Sequence, residues 1–181
     1  AAGVRRLVFI SSIKVHGEST QSGAAVRAEH SFAPSDPYAQ SKVEAEQALQ
    51  EIADETGLEV VVIRPPLVYG PGVEANFARM MRLVDKGLPL PFGAIDNRRS
   101  LVALDNLVDL VSRCIHTPQA AGRAFFVSDD DDVSTARLLR EIAEAMGKPA
   151  KLLPVPLWML RLAGRLTGRL DEVDRLCGSL Q

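Results

Sequence analysis

An α/β fold organised around a parallel sheet is predicted by three features of this sequence. Two short unbroken apolar runs, Leu7-Val8-Phe9-Ile10 and Val60-Val61-Val62-Ile63, have the length and side chains of strands buried on both faces. A helical pattern over 37–56 lies between them. Strand, helix, strand in that order makes a right-handed crossover unit.

The first strand ends in Ser11-Ser12 and opens into a polar loop over 17–37, long enough to suggest a functional role. Asp36 before Pro37 suits a helix N-cap with proline in the first turn. The helix carries an apolar stripe of Val43, Ala45, Ala48, Leu49, Ile52 and Ala53, and Gly57 stops it. After the second strand, Arg64-Pro65-Pro66 leads into a Pro/Gly-rich loop to Gly72. A helix over 77–86 follows, then a proline-broken apolar segment over 88–93 and a short strand, Leu101-Val102-Ala103. Asp105 is placed as the cap of a helix bearing Leu107, Val108, Leu110, Val111 and Ile115. Ala124-Phe125-Phe126-Val127 is a further strand. Ser134 caps a helix with Leu138, Leu139, Ile142 and Met146, closed by Gly147 and Pro149. The tail has a short strand near Leu152-Leu153 and then helical patterns. There is no internal repeat.

The 181 residues, 46% of them hydrophobic, suffice for one globular core. The net charge of −2 argues against a nucleic-acid surface. No apolar run approaches the length of an integral membrane segment. Cys114 and Cys177 are too few for a disulfide framework or a metal set, which fits a reducing cytoplasm. Four consecutive aspartates, 129–132, read as a solvated loop. His30 and His116 have no partner at ligand spacing, so no metal is expected. The arginine-studded leucines of 157–180 read as a packing surface. The opening directly on a strand and the unmarked end at 181 suggest a piece of a longer protein.

Tyr38 and Lys42 lie four residues apart, on one face of the first helix. A phenol has a reference pKa of about 10 and is a poor base at neutral pH. A nearby ammonium favours the phenolate, so such a pair can take a proton from an alcohol. The spacing alone is weak, and an exposed tyrosine beside a solvated lysine would look the same. Position strengthens it. Ser12 ends a buried strand, and in open α/β sheets ligands bind beyond the carboxyl ends of strands.

With these residues in view, Val8-Phe9-Ile10-Ser11-Ser12, Val15-His16-Gly17 and Pro37-Tyr38-Ala39-Gln40-Ser41-Lys42 resemble the extended short-chain dehydrogenase/reductase family, and within it the nucleotide-sugar epimerases and dehydratases. Arg64-Pro65-Pro66-Leu67-Val68-Tyr69-Gly70-Pro71-Gly72 is similar to that family's loop beside the nicotinamide. The segment from Arg98 to Leu107 is similar to the one that reaches the nucleotide diphosphate.

The resemblance implies the C-terminal part of a Rossmann-like parallel sheet with a small α/β substrate-binding subdomain. The Rossmann part would occupy about 1–70 and 120–130, and the substrate part mainly 71–119 and 131–181. It implies Ser12, Tyr38 and Lys42 as the catalytic set, with Tyr38 and Lys42 also on the cofactor, NAD. Pro65, Leu67 and Val68 would flank the nicotinamide, and Ser12, Asn76 and Arg98 would hold a nucleotide-sugar substrate. A cytoplasmic enzyme follows, and a homodimer paired through a helix bundle is compatible.

The departures carry information. His16 stands where the family has tyrosine, and it is given no catalytic role. The Gly-rich phosphate-binding turn is not in this sequence, so the isolated chain is expected to bind NAD poorly. Ile13 and Lys14 occupy the positions at which 4,6-dehydratases carry an Asp-Glu pair, and neither can do a carboxylate's work. That leaves epimerisation through a transient keto sugar, with UDP-sugar 4-epimerisation the leading reading. A net NAD(P)-dependent sugar or hydroxysteroid-type oxidoreductase and a non-catalytic nucleotide-binding module are the alternatives.

Overall fold

The alternation of strand and helix read from the sequence is present in the computed structural model, which describes residues 3–20, 26–27 and 30–180. Residues 21–25 and 28–29 of the predicted polar loop lie outside that set. Strands β1 (Arg6–Ile10), β2 (Glu59–Arg64) and β5 (Ala124–Phe126) form a parallel sheet in the order β1-β2-β5. The register runs from Arg6↔Glu59 to Ile10↔Ile63, and from Val62↔Ala124 to Arg64↔Phe126. Central β2 is buried almost throughout. In the described sheet β1 lies at the edge and is half-buried, with Ile10 exposed.

The two faces of β2 serve different helices. Val61 and Ile63 pack into a core with Val102, Leu107, Cys114 and Ala120, beneath helix α3 (Leu104–His116). The alternate residues, ending in Arg64, face helix α1 (Pro37–Thr56), which packs on the other side. Asp36 caps α1 by accepting from the Ala39 backbone N–H at 2.7 Å, and Gly57 ends it at φ 72°. Its buried side is Ala39, Val43 and Glu46. Of the predicted stripe, Val43 is buried, Ala45, Leu49 and Ala53 are half-buried, and Ala48 and Ile52 are exposed.

The proline-rich segment after β2 is not a plain loop. It contains strand β3 (Leu67–Tyr69), paired in parallel with β4 (Leu101–Ala103). Gly70 follows at φ 150°, and a Cβ there would lie 2.9 Å from the Leu104 Cβ, so only glycine fits. The cap predicted at Asp105 is also corrected. Asp105 lies inside the first turn of α3, which no side chain caps; Asp129 accepts from the N–H of Ala103, the residue before the helix, at 2.9 Å. At the other end of α3, Arg6 donates to the carbonyls of Cys114, Ile115 and Thr117, meeting otherwise open acceptors.

Two compact units are present. One comprises Ala1–Glu18, Ala25–Gly70 and Leu101–Asp130; the other comprises Ser19–Ala24, Pro71–Ser100 and Asp131–Gln181. Residues 101–119, grouped by the sequence reading with the substrate part, fall in the first unit. In the second, α2 (Ala75–Asp85) packs on α4 (Thr135–Ala145), which Ser134 caps as predicted. There α5 (Leu157–Thr167) packs on α6 (Leu170–Cys177) around Ile95, Leu160 and Cys177. The strand expected near Leu152 is a single bridge to Leu90. The aspartate run lies in the loop that approaches α4, with Asp130, Asp131 and Asp132 exposed; Asp131 pairs with Arg137 at 2.7 Å and Asp132 accepts from Ser100 at 2.6 Å. Both cysteines are free and buried. Burial pushes the Cys114 thiol up, and pushes Cys177 up to about 11. No helix among the described residues is long and apolar enough to cross a membrane.

The cap of α1 has a measurable signature. The Ala39 N–H, followed by the Lys14 ammonium, holds the Asp36 carboxyl down at about 2 against the opposing effect of burial. Its contribution is therefore complete above the ordinary aspartate range and is lost as pH falls through about 2. Asp36→Ala should lower unfolding free energy by about 1 kcal/mol at neutral pH in urea denaturation. The difference from wild type should vanish at the acid end.

Candidate active site

Ser12 is fixed where β1 turns away from the sheet. Its neighbours hold it there: the Ser11 N–H donates to the Ile63 carbonyl at 2.7 Å, and the Ile13 N–H donates to the Pro65 carbonyl at 3.0 Å. The Ser12 hydroxyl caps a short 3₁₀ helix (Ile13–His16) by accepting from the Lys14 N–H at 3.3 Å. A hydroxyl that accepts there keeps its own proton to donate. Ser12 is buried, at 9% exposure.

Tyr38 and Lys42 are brought together on the first two turns of α1. The Lys42 ammonium donates to the Ile10 carbonyl at 2.9 Å, two residues before Ser12. It lies 4.9 Å from the centre of the Phe9 ring and 5.8 Å from that of Tyr38. One of its three donors is thus engaged on β1, and its charge sits beside the phenol. Tyr38 is 52% exposed, so the ring is open to a ligand.

The start of α1 is held from the other side by Lys14. Its ammonium pairs with Glu18 at 2.8 Å and with the capping Asp36 at 3.0 Å. Burial alone would lower the Lys14 pKa, but these two carboxylates outweigh it and raise it. Ile13 is buried. The two positions that carry acids in dehydratases therefore hold a core side chain and a cation already paired.

Beneath these residues lies a polar cluster the sequence did not disclose. Glu46, one turn beyond Lys42, and Arg64, the last residue of β2, form an ion pair at 2.6 Å with side-chain exposures of only 5% and 7%. The Arg64 Nε also donates to both Glu46 oxygens, at 3.1 and 3.2 Å. The Ser11 hydroxyl donates to Glu46 Oε1 in a short hydrogen bond. Arg64 Nη1 meets His16 Nε2 at 3.0 Å, and His16 Nδ1 meets the Ser31 carbonyl at 3.2 Å. The Arg64 guanidinium also lies 5.2 Å from the Phe32 ring centre and 5.9 Å from that of Phe126. Ser11 is thus a strut in this cluster as well as a strand end. The available signal was a glutamate at i, i+4, i+8 with Tyr38 and Lys42, and an arginine closing an otherwise apolar strand.

The remaining sequence-predicted residues are placed as follows. Pro65 is buried just after β2, and its carbonyl receives the Ile13 N–H. Leu67 and Val68 lie in β3, opposite Leu101 and Val102. Asn76 is exposed in the first turn of α2. Arg98 has an exposed side chain, while its backbone N–H donates to Ser179 Oγ at 3.0 Å. Asn76 and Arg98 belong to the second unit, and Ser12, Tyr38 and Lys42 to the first. Among the described residues there is no cluster of three or more His, Cys, Asp or Glu side chains suited to a metal.

A parallel sheet flanked by α1 and α3, with a Tyr-x-x-x-Lys helix beside a strand-end serine, defines a class. The chain belongs to the NAD dependent epimerase/dehydratase family, whose pattern matches residues 1–127. It is 56% identical to a UDP-glucose 4-epimerase of Vibrio cholerae over 181 residues, covering 99% of this chain and 55% of that protein. It is 26% identical to the N-acetyl-alpha-D-glucosaminyl-diphospho-ditrans,octacis-undecaprenol 4-epimerase of Escherichia coli O157:H7, covering 87% of this chain and 48% of that protein. Among solved structures, the Thermus thermophilus UDP-glucose 4-epimerase complex with NAD superposes with a TM-score of 0.71 at 26% identity, over 85% of this chain and 52% of that one. The chain spans about half the length of the curated relatives it matches.

Removing one member of a buried ion pair strands the other charge. Glu46→Leu should therefore cost about 3–5 kcal/mol in urea unfolding. The double variant Glu46→Leu with Arg64→Met should recover most of that loss. Equal destabilisation by the single and double variants would mean that the pair contributes only packing.

Proposed function

We propose that the complete protein is an epimerase of nucleotide sugars, inverting C4 of a UDP-hexose through a transient 4-keto sugar. The observation that carries this reading is the Tyr38–Lys42 pair, anchored on the Ile10 carbonyl at the end of the strand that leads to Ser12. The 56% identity to a UDP-glucose 4-epimerase supports the same reaction and the UDP-sugar substrate class. NAD is proposed as the cofactor, in line with the family and with the bound NAD of the Thermus thermophilus relative. The residues present fit the nicotinamide-ribose end of such a cofactor. Tyr38 is exposed, and the Lys42 ammonium keeps donors beyond the one given to Ile10. When bound, NAD would accept and return the hydride at the sugar carbon, without net redox.

The chain's own part is proton handling and orientation. Ser12 donates to the sugar oxygen and orients it. Tyr38 removes the hydroxyl proton as the carbon becomes a ketone, and returns it when the alcohol re-forms. Lys42 places a positive charge beside the phenol, the setting in which negative charge on its oxygen is stabilised. Pro65, Leu67 and Val68 would shape the wall against the nicotinamide. Asn76 and Arg98 would hold the diphosphate, arginine suiting it by charge and fork geometry. A buried Ile13 and a paired Lys14 favour epimerisation over dehydration. A cytoplasmic homodimer belongs to the same proposal, the location in keeping with two free thiols.

The test uses the complete protein with UDP-glucose, following UDP-galactose by NMR and reduced cofactor by absorbance. Product should reach equilibrium without accumulation of NADH. Tyr38→Phe should lower kcat by about 10²–10⁴-fold while UDP-glucose still binds. Stoichiometric NADH formation would instead mark a net oxidoreductase, and an unaffected Tyr38→Phe enzyme would remove the phenol from the reaction.

A further inference from the structure

The residues on either side of Ser12 are both tied to a single buried ion pair. Ser11, immediately before it, donates to Glu46. His16, at the end of the 3₁₀ helix that Ser12 caps, meets Arg64 at 3.0 Å. Glu46 is in turn part of α1, one turn beyond Lys42. The same pair therefore holds the Ser12 segment and the helix that presents Tyr38 and Lys42.

We propose that Ser11, Glu46, Arg64 and His16 act as positioning residues, clamping the Ser12 segment to the Tyr38–Lys42 helix, and that the clamp closes only while His16 is neutral. The inference rests on the epimerase reading given above. The protonation state follows from the partners. The Ser31 carbonyl can only accept, so His16 Nδ1 carries the proton; Arg64 can only donate, so Nε2 is the acceptor. A second proton on Nε2 would set N–H against N–H and two cations 3.0 Å apart.

The groups facing His16 are Arg64 from β2, Glu46 from α1 and His30 from the loop, with the Phe32 and Phe126 rings 5.7 and 5.6 Å away. Burial lowers the His16 pKa. The Ser31 carbonyl raises it, Arg64 lowers it, Glu46 raises it and His30 lowers it, and the net direction is down. A lowered value means that the neutral form persists below the ordinary histidine range and that the clamp is lost only as pH falls through that lowered value. Native-state stability follows the same sign, rising with pH between the lowered value and about 6.5. The resulting misplacement is small and local, so it should slow turnover more than it weakens substrate binding.

The test compares pH profiles of kcat and KM for the complete holoenzyme on UDP-glucose. The variants are His16→Asn, whose amide oxygen accepts without titrating, and Ser11→Ala, which cuts one tie and spares the ion pair. Wild-type kcat should fall on the acid side with KM steady. His16→Asn, scaled to its own neutral-pH rate, should lose less of its rate on the acid side than wild type does. Ser11→Ala should lower kcat by about 10-fold at every pH with little change in KM. Superimposable profiles for wild type and His16→Asn would overturn the clamp. If the wild type does not interconvert UDP-glucose and UDP-galactose, the epimerase reading fails and the clamp is judged by imidazole nitrogen NMR instead. There it requires the proton on Nδ1, a titration midpoint below the ordinary histidine value, and a Ser12 amide resonance that moves with that titration in wild type only. A proton on Nε2, or an unmoved Ser12 resonance, would overturn it independently.

Discussion

The ion pair between Glu46 and Arg64 is the constraint on which the candidate site depends. An isolated buried charge is costly, and a buried pair is tolerable only when its remaining hydrogen-bonding capacity is met. Here Arg64 donates to both carboxylate oxygens, and Ser11 donates to one of them. The requirement runs outward. Sliding α1 along the sheet would separate the charges, and shifting the turn after β1 would withdraw Ser11. Two segments far apart in sequence are thereby held in one arrangement by electrostatics, where apolar packing alone would tolerate repacking.

Around that anchor, each side chain of the proposed catalytic set is held by a different kind of contact. Lys42 is held by a backbone carbonyl and an aromatic face, which leave its charge beside Tyr38. Ser12 is held by backbone bonds on both sides and keeps a free proton to give. The first turn of α1 is held by Asp36, itself paired with Lys14. Tyr38 is left exposed, as its proposed contact with a ligand requires. The departures from the family pattern join this scheme. Lys14 helps to fix the helix start, and His16 supplies an acceptor for Arg64.

The sequence disclosed what periodicity and local punctuation can carry. The crossover unit was legible because β2 is a continuous apolar run and α1 has a proline start and a glycine stop. The motif residues stood at fixed local spacing, so Ser12, Tyr38 and Lys42 could be named before any geometry was known. What stayed hidden depends on contacts distant along the chain. Asp129 meets the Ala103 N–H just before α3 from 26 residues further on, a contact that no local spacing shows. Strand β3 is three residues between prolines and a glycine, too short to show alternation. Glu46 and Arg64 read separately as a polar helix residue and a strand-end charge. Only the packing of α1 on β2 turns them into one unit.

The most direct measurement is a crystal structure of the complete protein with its cofactor and UDP-glucose bound. The account predicts the Tyr38 phenol oxygen and the Ser12 hydroxyl both within about 3 Å of the sugar's C4 oxygen, with Glu46 still bound to Arg64 beneath them. A sugar whose C4 oxygen lies away from both groups, or Ser12 and Tyr38 opening onto separate cavities, would contradict it.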